Sequence, residues 1–289
     1  MLAVVIGLAG ALIFGTADFI GGIAARRISS VRVTALGGIA GLVVLLAALP
    51  IIGGAWSPQA VLLGAISGVT GSLAVVLLYA CLAIGPMSIL SPLTAVISAL
   101  VPMLAGALRG ARLSTLGYVA IGIALVAVVL VGFVPEKGAV RPSPKALAMA
   151  LASGVLIGVF LILIDMTPDD SGLVPLVVNR AVNASVMFTA IGLLWLWGRR
   201  KSAPARVVVP GWKPGFALAL VAGAIDATAN ALLLLGLRLG ELTIQSVLTA
   251  LYPAGTIILA AVVLKERIAP VQVAGLVLAL VAASMLALV

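Results

Sequence analysis

Apolar residues come in about ten blocks of roughly 20 residues, and this pattern constrains the chain more than any other feature. A helix rises about 1.5 Å per residue, so about 20 residues cross about 30 Å of hydrocarbon. Hydrophobic residues make up 64% of the 289 residues and charged residues only 9%, whereas soluble domains are about 45–50% apolar. Membrane β-strands need only about 10 residues of alternating polarity. The chain is therefore predicted to be an all-α integral membrane protein.

Ten transmembrane helices are predicted. Their limits are residues 2–24, 31–53, 59–80, 86–107, 113–133, 145–165, 172–197, 213–236, 241–263 and 269–289. The first helix lacks a preceding basic stretch and a cleavage signal, so we expect it to be retained. Prolines, glycine and charges cluster in VPEKGAVRPSPKA, residues 134–146. We therefore expect a first five-helix unit at 1–134, a linker at 135–145 and a second unit at 146–289.

The two predicted units resemble each other. The stretches that begin at Ala83 and Arg238 align without a gap. The alignment places Gly85 on Gly240, Ser91 on Ser246, the LTA of 93–95 on that of 248–250, and Arg112 on Arg267. Because each unit has an odd number of helices, the second copy enters the membrane from the opposite side. The sequence thus predicts an inverted five-plus-five repeat around a central cavity, an arrangement typical of transporters.

The basic residues indicate orientation. They give a net charge of +9, but they lie in short loops without the clustered face that a nucleic-acid site needs, so no nucleic-acid partner is predicted. Thirteen of the 17 fall in the loops after helices one, five, seven and nine; the other four are Arg109, Arg112, Arg180 and Arg238. By the positive-inside rule the richer face is cytoplasmic, which places both termini outside.

The residue types restrict the chemistry. The chain has no histidine and one cysteine, Cys81, so an intramolecular disulfide is excluded and proton chemistry near neutral pH would need a carboxylate. No metal or cofactor is predicted. Nothing in the sequence resembles the phosphate-binding loop of an ATPase, so active transport would be secondary.

The stretch GAIDATANALLLLG, residues 223–236, places a carboxylate inside the eighth helix. An aspartate at the centre of a membrane helix costs about 2.5–3.5 kcal/mol on insertion, so Asp226 is expected to face protein or water. Gly223, Asp226 and Asn230 fall on one helix face. Asp226 and Asn230 are therefore candidates for binding substrate or a proton. The alternative is a structural carboxylate that is hydrogen-bonded to Asn230 or to a neighbouring helix.

Three other residues carry related hypotheses. Asp18 of the first helix could bind substrate or a proton, or could pair with Arg26 or Arg27. Tyr79 is counted among the candidate substrate-binding residues. Arg180 is predicted to pair with Asp165, with the capture of a substrate carboxylate as the alternative.

Helices four and nine carry polar stripes at helical spacing. The first is formed by Ser91, Thr94 and Ser98, and the second by Gln245, Thr249, Tyr252 and Thr256. These side chains could line a central cavity and bind substrate near the membrane midplane. Alternatively, their hydroxyl and amide groups could join neighbouring helices by hydrogen bonds. The spacing alone does not decide between the two.

Prolines occur in both of these helices. Pro92 and Pro102 in helix four, and Pro253 with Gly255 in helix nine, are expected to interrupt the helices and free backbone carbonyls. They are candidate hinges for alternating access, and static kinks are the alternative. Separately, small residues at four-residue spacing predict close helix contacts; the pairs are Gly37 with Gly41 and Gly64 with Gly68.

Several motifs resemble the EamA-type branch of the drug/metabolite transporter superfamily. FGTADF at 14–19 is similar to the family's first-helix motif, although Phe14 stands where tryptophan is usual. LKERIA at 264–269 matches the loop before the last helix, and the resemblance is strongest over residues 233–286. The first unit departs from the pattern because Ala111 stands opposite Glu266. A structural role in the loop is therefore expected for Glu266 rather than a chemical one.

This resemblance implies a fold in which helices one to four and six to nine surround a central cavity, with helices five and ten as buttresses. It implies export of small metabolites by alternating access through a bacterial-type inner (plasma) membrane, with amino-acid exporters of the YddG type as the closest association. The expected partners are the small-molecule substrate and the lipid bilayer, with protons as candidate coupling ions. A monomer is compatible with this architecture.

Other functions stay open at the level of sequence. A multidrug or other metabolite exporter would have the same fold. A channel would be distinguished by unitary currents. An intramembrane aspartyl enzyme would need two carboxylates in one site, whereas Asp18 and Asp226 are predicted to lie at different depths.

Overall fold

The computed structural model describes residues 2–108, 115–132, 141–200, 211–239, 252–266 and 270–286. Within these ranges the regular structure is helical and no strand occurs. The α-helices are α1 (Leu2–Arg27), α2 (Ser30–Ile52), α3 (Pro58–Ile84), α4 (Met87–Leu108), α5 (Thr115–Gly132), α6 (Pro144–Asp165), α7 (Val174–Arg200), α8 (Phe216–Leu239), α9 (Pro253–Val263) and α10 (Pro270–Leu286). Residues 241–251 of the predicted ninth helix and 135–140 of the predicted linker lie outside the described ranges.

The helices have the length and apolar surface of membrane spans. Six segments of the described chain are long and apolar enough to cross a bilayer: Ala9–Arg27, Ser30–Ile52, Pro58–Ile84, Pro144–Asp165, Val174–Trp197 and Lys213–Leu232. Shorter apolar stretches lie in α4 and α10. Large hydrophobic side chains such as Val43, Leu62 and Val262 are exposed on the outer surface, where lipid would cover them. The predicted all-α membrane protein is confirmed at this level.

Serine side chains fix the starts of three helices. Ser29, Ser57 and Ser143 have extended backbones and precede α2, α3 and α6. Their hydroxyl oxygens accept hydrogen bonds from backbone N–H groups three residues ahead, at 3.4, 3.1 and 3.2 Å. These bonds satisfy amides that have no partner within the helix. The loops between the spans can therefore be short.

The packing places helices of both predicted units side by side. α1 packs against α8 and α9, and α2 lies against α7 and α8. α3 contacts α6 and α7, while α4 contacts α6, α9 and α10. α5 packs mainly against α10, at one side of the molecule. As a result, α1, α2 and α3 meet α7 and α8 in the interior.

Glycine allows the closest of these contacts. A Cβ on Gly223 of α8 would collide with the backbone of Gly37 in α2. Cβ atoms on Gly64 and Gly68 of α3 would lie only 2.8 Å from the carbonyl oxygens of Pro175 and Asn179 in α7. The predicted close packing at Gly37, Gly41, Gly64 and Gly68 is confirmed. It brings the polar faces of α7 and α8 against α2 and α3.

The loop between α9 and α10 is joined to the start of α4. The carboxylate of Glu266 accepts hydrogen bonds from the backbone N–H groups of Met87 and Ser88, both at 3.1 Å. It also accepts one from the Ser88 hydroxyl, at 2.5 Å. A carboxylate at a helix N-terminus satisfies unpaired amides and complements the helix dipole. The predicted structural role of Glu266 is confirmed, and we call this contact the Glu266 clasp.

Backbone hydrogen bonds join the α2–α3 loop to the α6–α7 loop, near the N-terminus of α3. The Leu173 N–H donates to the carbonyl of Gly53 at 3.1 Å, and the Ala55 N–H donates to that of Asp170 at 2.9 Å. Gly53 and Gly172 both have positive φ, which glycine adopts without strain. The α2–α3 and α6–α7 loops are thereby held together.

The prolines do not break the described helices. The expectation that Pro92 and Pro102 interrupt helix four is wrong, because α4 runs without a break from Met87 to Leu108. Pro253 is the first residue of α9, where its missing N–H would have no partner within the helix. Gly255 packs tightly on α1, since its Cβ would lie 2.9 Å from the Leu12 carbonyl oxygen. Hinge motion at these residues stays a prediction.

Three matched glycine-to-alanine changes test the α2–α8 contact. Gly223→Ala should lower stability by about 1–3 kcal/mol, because the added methyl group meets backbone that cannot move aside easily. Gly37→Ala should cost less, since its Cβ would be 3.4 Å from the Gly223 Cα. Gly122→Ala, with open space around it, should be neutral or slightly stabilising. Thermal unfolding in detergent checks this order, and equal melting temperatures would contradict it.

Two substitutions of Glu266 test the Glu266 clasp, one that removes the carboxylate and one that replaces it by an amide. Glu266→Ala should lower stability by about 2 kcal/mol, because two helix amides and a hydroxyl lose a charged acceptor. Glu266→Gln should lose less, since it keeps one acceptor oxygen. Cys81 is buried, so its reaction with a fluorescent maleimide during heating reports unfolding. Asp169→Asn, at an exposed carboxylate, is the control and should leave the melting temperature unchanged.

Candidate functional site

A partly buried ion pair joins α7 to α8. Nη2 of Arg180 donates a hydrogen bond to Oδ2 of Asp226, and the two side chains are only 11% and 18% exposed. The predicted pairing of Arg180 with Asp165 is wrong: Asp165 is exposed at the end of α6. The stem of Arg180 passes over α2, where a Cβ on Gly41 would lie 3.3 Å from its Cδ. Glycine at this position gives the arginine room to reach inward.

Asn230 also holds Asp226. Its Nδ2 lies 2.9 Å from the Asp226 carbonyl oxygen and 3.4 Å from the carboxylate Oδ2. The predicted shared face of Asp226 and Asn230 is therefore present in α8. In this conformation Asp226 has the hydrogen bonds expected of a structural carboxylate, both to Asn230 and to a neighbouring helix. A role in binding substrate or a proton stays a prediction.

Asp18 and Tyr79 lie beside this pair. Asp18 on α1 is 8% exposed, and among the described residues it forms no ion pair with Arg26 or Arg27. Asp18 lies within electrostatic range of Asp226. Tyr79 on α3 is buried within electrostatic range of both carboxylates and of Arg180. We call Asp18, Tyr79, Arg180 and Asp226 the charged centre.

The hydroxyl groups of α4 join helices. Ser91 donates to Thr256 of α9 at 3.3 Å, and Thr256 donates to the Gly15 carbonyl of α1 at 3.0 Å. The Thr94 hydroxyl donates to the Leu90 carbonyl at 2.9 Å and lies 3.3 Å from the Ala150 carbonyl of α6. For Ser91 and Thr94 the structure thus shows the interhelical bonds that were the alternative to a cavity lining.

Of the other candidate residues in the two polar stripes, the structure describes some and not others. Ser98 is buried, donates to the Ala95 carbonyl at 2.9 Å and lies beside Tyr252. The Tyr252 ring packs edge to face on Phe14 of the FGTADF motif, with ring centroids 6.4 Å apart. Gln245 and Thr249 lie outside the described residues. Tyr252 also lies within electrostatic range of Asp18, which extends the charged centre toward α9.

Two polar residues at this site were missed. Thr34 of α2 and Asn183 of α7 are buried next to the charged centre and line a cavity of about 10 Å³ together with Tyr79, Arg180 and Asp226. A signal for Asn183 exists in the sequence, because Asn179, Arg180 and Asn183 follow one another within an apolar helix at spacings that share a face. Thr34 has no such signal, since single threonines are common in membrane helices.

The helix packing and the charged centre together indicate a class of protein. A bundle of apolar helices that encloses two carboxylates and a guanidinium, one of them buried and two partly buried, where α1, α2 and α3 meet α7 and α8 is typical of a membrane transporter of small solutes. The family model described as the EamA-like transporter family matches residues 1–133 and 144–288, and the chain belongs to this family. The resemblance to the drug/metabolite transporter superfamily is therefore confirmed, and members of this family are transporters rather than enzymes.

The fold is also found in a solved structure. A protein known from a crystal structure superposes with a TM-score of 0.61 at 18% sequence identity. The match covers 99% of this chain and 98% of the other. No curated protein is a significant match to the sequence. The likeness concerns the fold alone.

The ion pair is tested by removing one partner and then both. Asp226→Leu should lower stability by about 3–5 kcal/mol, because it leaves the Arg180 charge buried without a partner. The double variant Arg180→Leu/Asp226→Leu should recover much of that loss. Asp165→Leu, at an exposed carboxylate, is the matched control. The Cys81 unfolding assay measures these three variants together with wild type and Arg180→Leu. Simple additivity of the two single changes, Asp226→Leu and Arg180→Leu, would show that the pair is not coupled.

Proposed function

We propose that this transporter exports small zwitterionic metabolites, amino acids first among them, across the inner membrane. The observation that carries the proposal is the charged centre, where Arg180 and two carboxylates lie among apolar helices, Asp18 buried and the other two partly buried. Arg180 offers a guanidinium to a substrate carboxylate. Asp226 and Asp18 offer carboxylates to a substrate ammonium group or to a proton. A zwitterion carries both complementary charges on one small molecule.

Alternating access completes the proposal. In the described conformation Arg180 and Asp226 satisfy each other, so a zwitterion has to separate them and take over both partners. The exchange conserves the number of paired charges, which keeps its cost low in a site with little water. The second carboxylate, Asp18, is the proposed site of a coupling proton. Pro92, Pro102, Pro253 and Gly255 are the proposed hinges.

The proposed architecture is the inverted five-plus-five repeat. It has ten transmembrane helices, with units at 1–134 and 146–289, a linker at 135–145 and both termini outside. The family model supports the division because it matches the chain twice, over 1–133 and 144–288. The cavity between the units would then be lined by the charged centre and by Gln245, Thr249 and Tyr252 of the second polar stripe.

Uptake into proteoliposomes tests this function. A panel of labelled amino acids, with and without an imposed pH gradient, should show saturable uptake of a subset. Asp226→Asn should reduce that uptake at least tenfold, because it removes the charge that exchanges with Arg180, while an amide oxygen still accepts from the guanidinium and preserves the fold. Asp165→Asn is the matched control and should transport normally.

The outcomes separate the alternatives. Uptake of none of the amino acids by folded protein would contradict amino-acid export and favour another metabolite or a drug as substrate. Unitary currents across a planar bilayer would indicate a channel. Uptake of amino-acid methyl esters as fast as of the free acids would contradict a role for Arg180 in carboxylate binding.

A further inference from the structure

Three buried polar atoms belong to residues that line one small cavity at the charged centre. They are Oγ1 of Thr34, Nε of Arg180 and Oδ1 of Asn183, and none of them makes a hydrogen bond to another atom of the described structure. Thr34 and Asn183 are each only 2% exposed. All three residues line the cavity of about 10 Å³ between α2, α7 and α8. Buried polar atoms are almost always paired, so three at one cavity indicate a bound partner.

The size of the cavity restricts that partner. A water molecule needs about 10–15 Å³ of space measured with a water-sized probe, together with two to four polar neighbours. Gly37, Gly38 and Gly223 form part of the wall, and a Cβ on Gly38 would lie only 2.9 Å from Asn183 Oδ1. The absence of side chains at these glycines therefore leaves room for one small molecule.

The chemistry of the three atoms restricts it further. Arg180 Nε–H is a donor, Asn183 Oδ1 is an acceptor, and the Thr34 hydroxyl can act as either. A carboxylate oxygen could accept from Arg180 but could not donate to Asn183. A metal cation would be repelled by the guanidinium. A neutral group that both donates and accepts, and that has no substituent larger than hydrogen, satisfies all three atoms.

We infer that this cavity binds a single water molecule that is the second hydrogen-bond partner of Arg180. The guanidinium bonds to Asp226 through Nη2 and to the water through Nε. Thr34 and Asn183 hold the water in place from α2 and α7. When Asp226 releases Arg180, the guanidinium keeps this partner and its position. The binding of water does not depend on the proposed function, whereas its role in releasing Asp226 rests on it.

Radiolytic footprinting in H₂¹⁸O tests the water site directly. X-rays convert a bound water into a hydroxyl radical that labels the nearest reactive side chain, and the ring of Tyr79 lines the cavity although Tyr79 is buried. Phe19 is also buried but does not line the cavity, so it serves as the reference. We expect severalfold more ¹⁸O label on Tyr79 than on Phe19. Equal labelling of the two rings would overturn the inference.

Matched variants identify the source of the label. Thr34→Val keeps the side-chain shape but removes the hydroxyl, and Asn183→Leu removes the acceptor; in the double variant the labelling of Tyr79 should fall to that of Phe19. Thr34→Val alone should give a partial loss if the double variant does not fold in the Cys81 assay. Thr70→Val is the control, because the Thr70 hydroxyl bonds to its own helix. Unchanged labelling in Thr34→Val would show that the radical arises elsewhere and would overturn the site.

Transport measurements test the role of the water separately from its presence. With a substrate found in the uptake panel, Thr34→Val should slow uptake severalfold relative to Thr70→Val. Equal rates would overturn the role in releasing Asp226 while the footprint still decides the site. If no amino acid is transported, the proposed substrate fails and the footprint remains a complete test of the water site.

Discussion

The ion pair between Arg180 and Asp226 is the interaction on which the rest of the interior depends. Neither charge could remain in an apolar helix bundle alone, because the cost of desolvation would exceed what packing can return. α7 and α8 both pack against α2, and the pair joins them across that helix. The pair requires small residues on α2 where it passes this helix, and Gly37 and Gly41 meet that requirement. Helix packing and charge placement are therefore one constraint.

Much of the site follows from the insertion cost of polar groups, which is a property of sequence. That cost correctly predicted that Asp226 faces protein, and the glycine spacing correctly predicted close contacts of α2 and α3. The partner of Arg180 was not predictable in the same way. A long side chain can reach either end of its helix, and its direction depends on space left by Gly41 of another helix.

The polar stripes show a second limit. Spacing identifies a helix face, but it does not say whether that face meets another helix or an open space. In α4 the hydroxyls of Ser91 and Thr94 bond to neighbouring helices, and Pro92 lies within the continuous helix. Thr34 and Asn183 can be recognised as parts of one site only because the fold places them at the same cavity. Contacts between distant segments of the chain supply this information, and no local pattern contains it.

The Glu266 clasp has a consequence for the speed at which the molecule can change shape. When an apolar contact of similar size separates, it exposes hydrocarbon to water, and water does not replace the lost contacts. A carboxylate on helix amides can exchange its partners for water one at a time, since each bond that breaks has an immediate substitute. In the proposed alternating access, such a contact could be stable at equilibrium and still separate over a low barrier. It would then allow frequent opening without weakening the closed form.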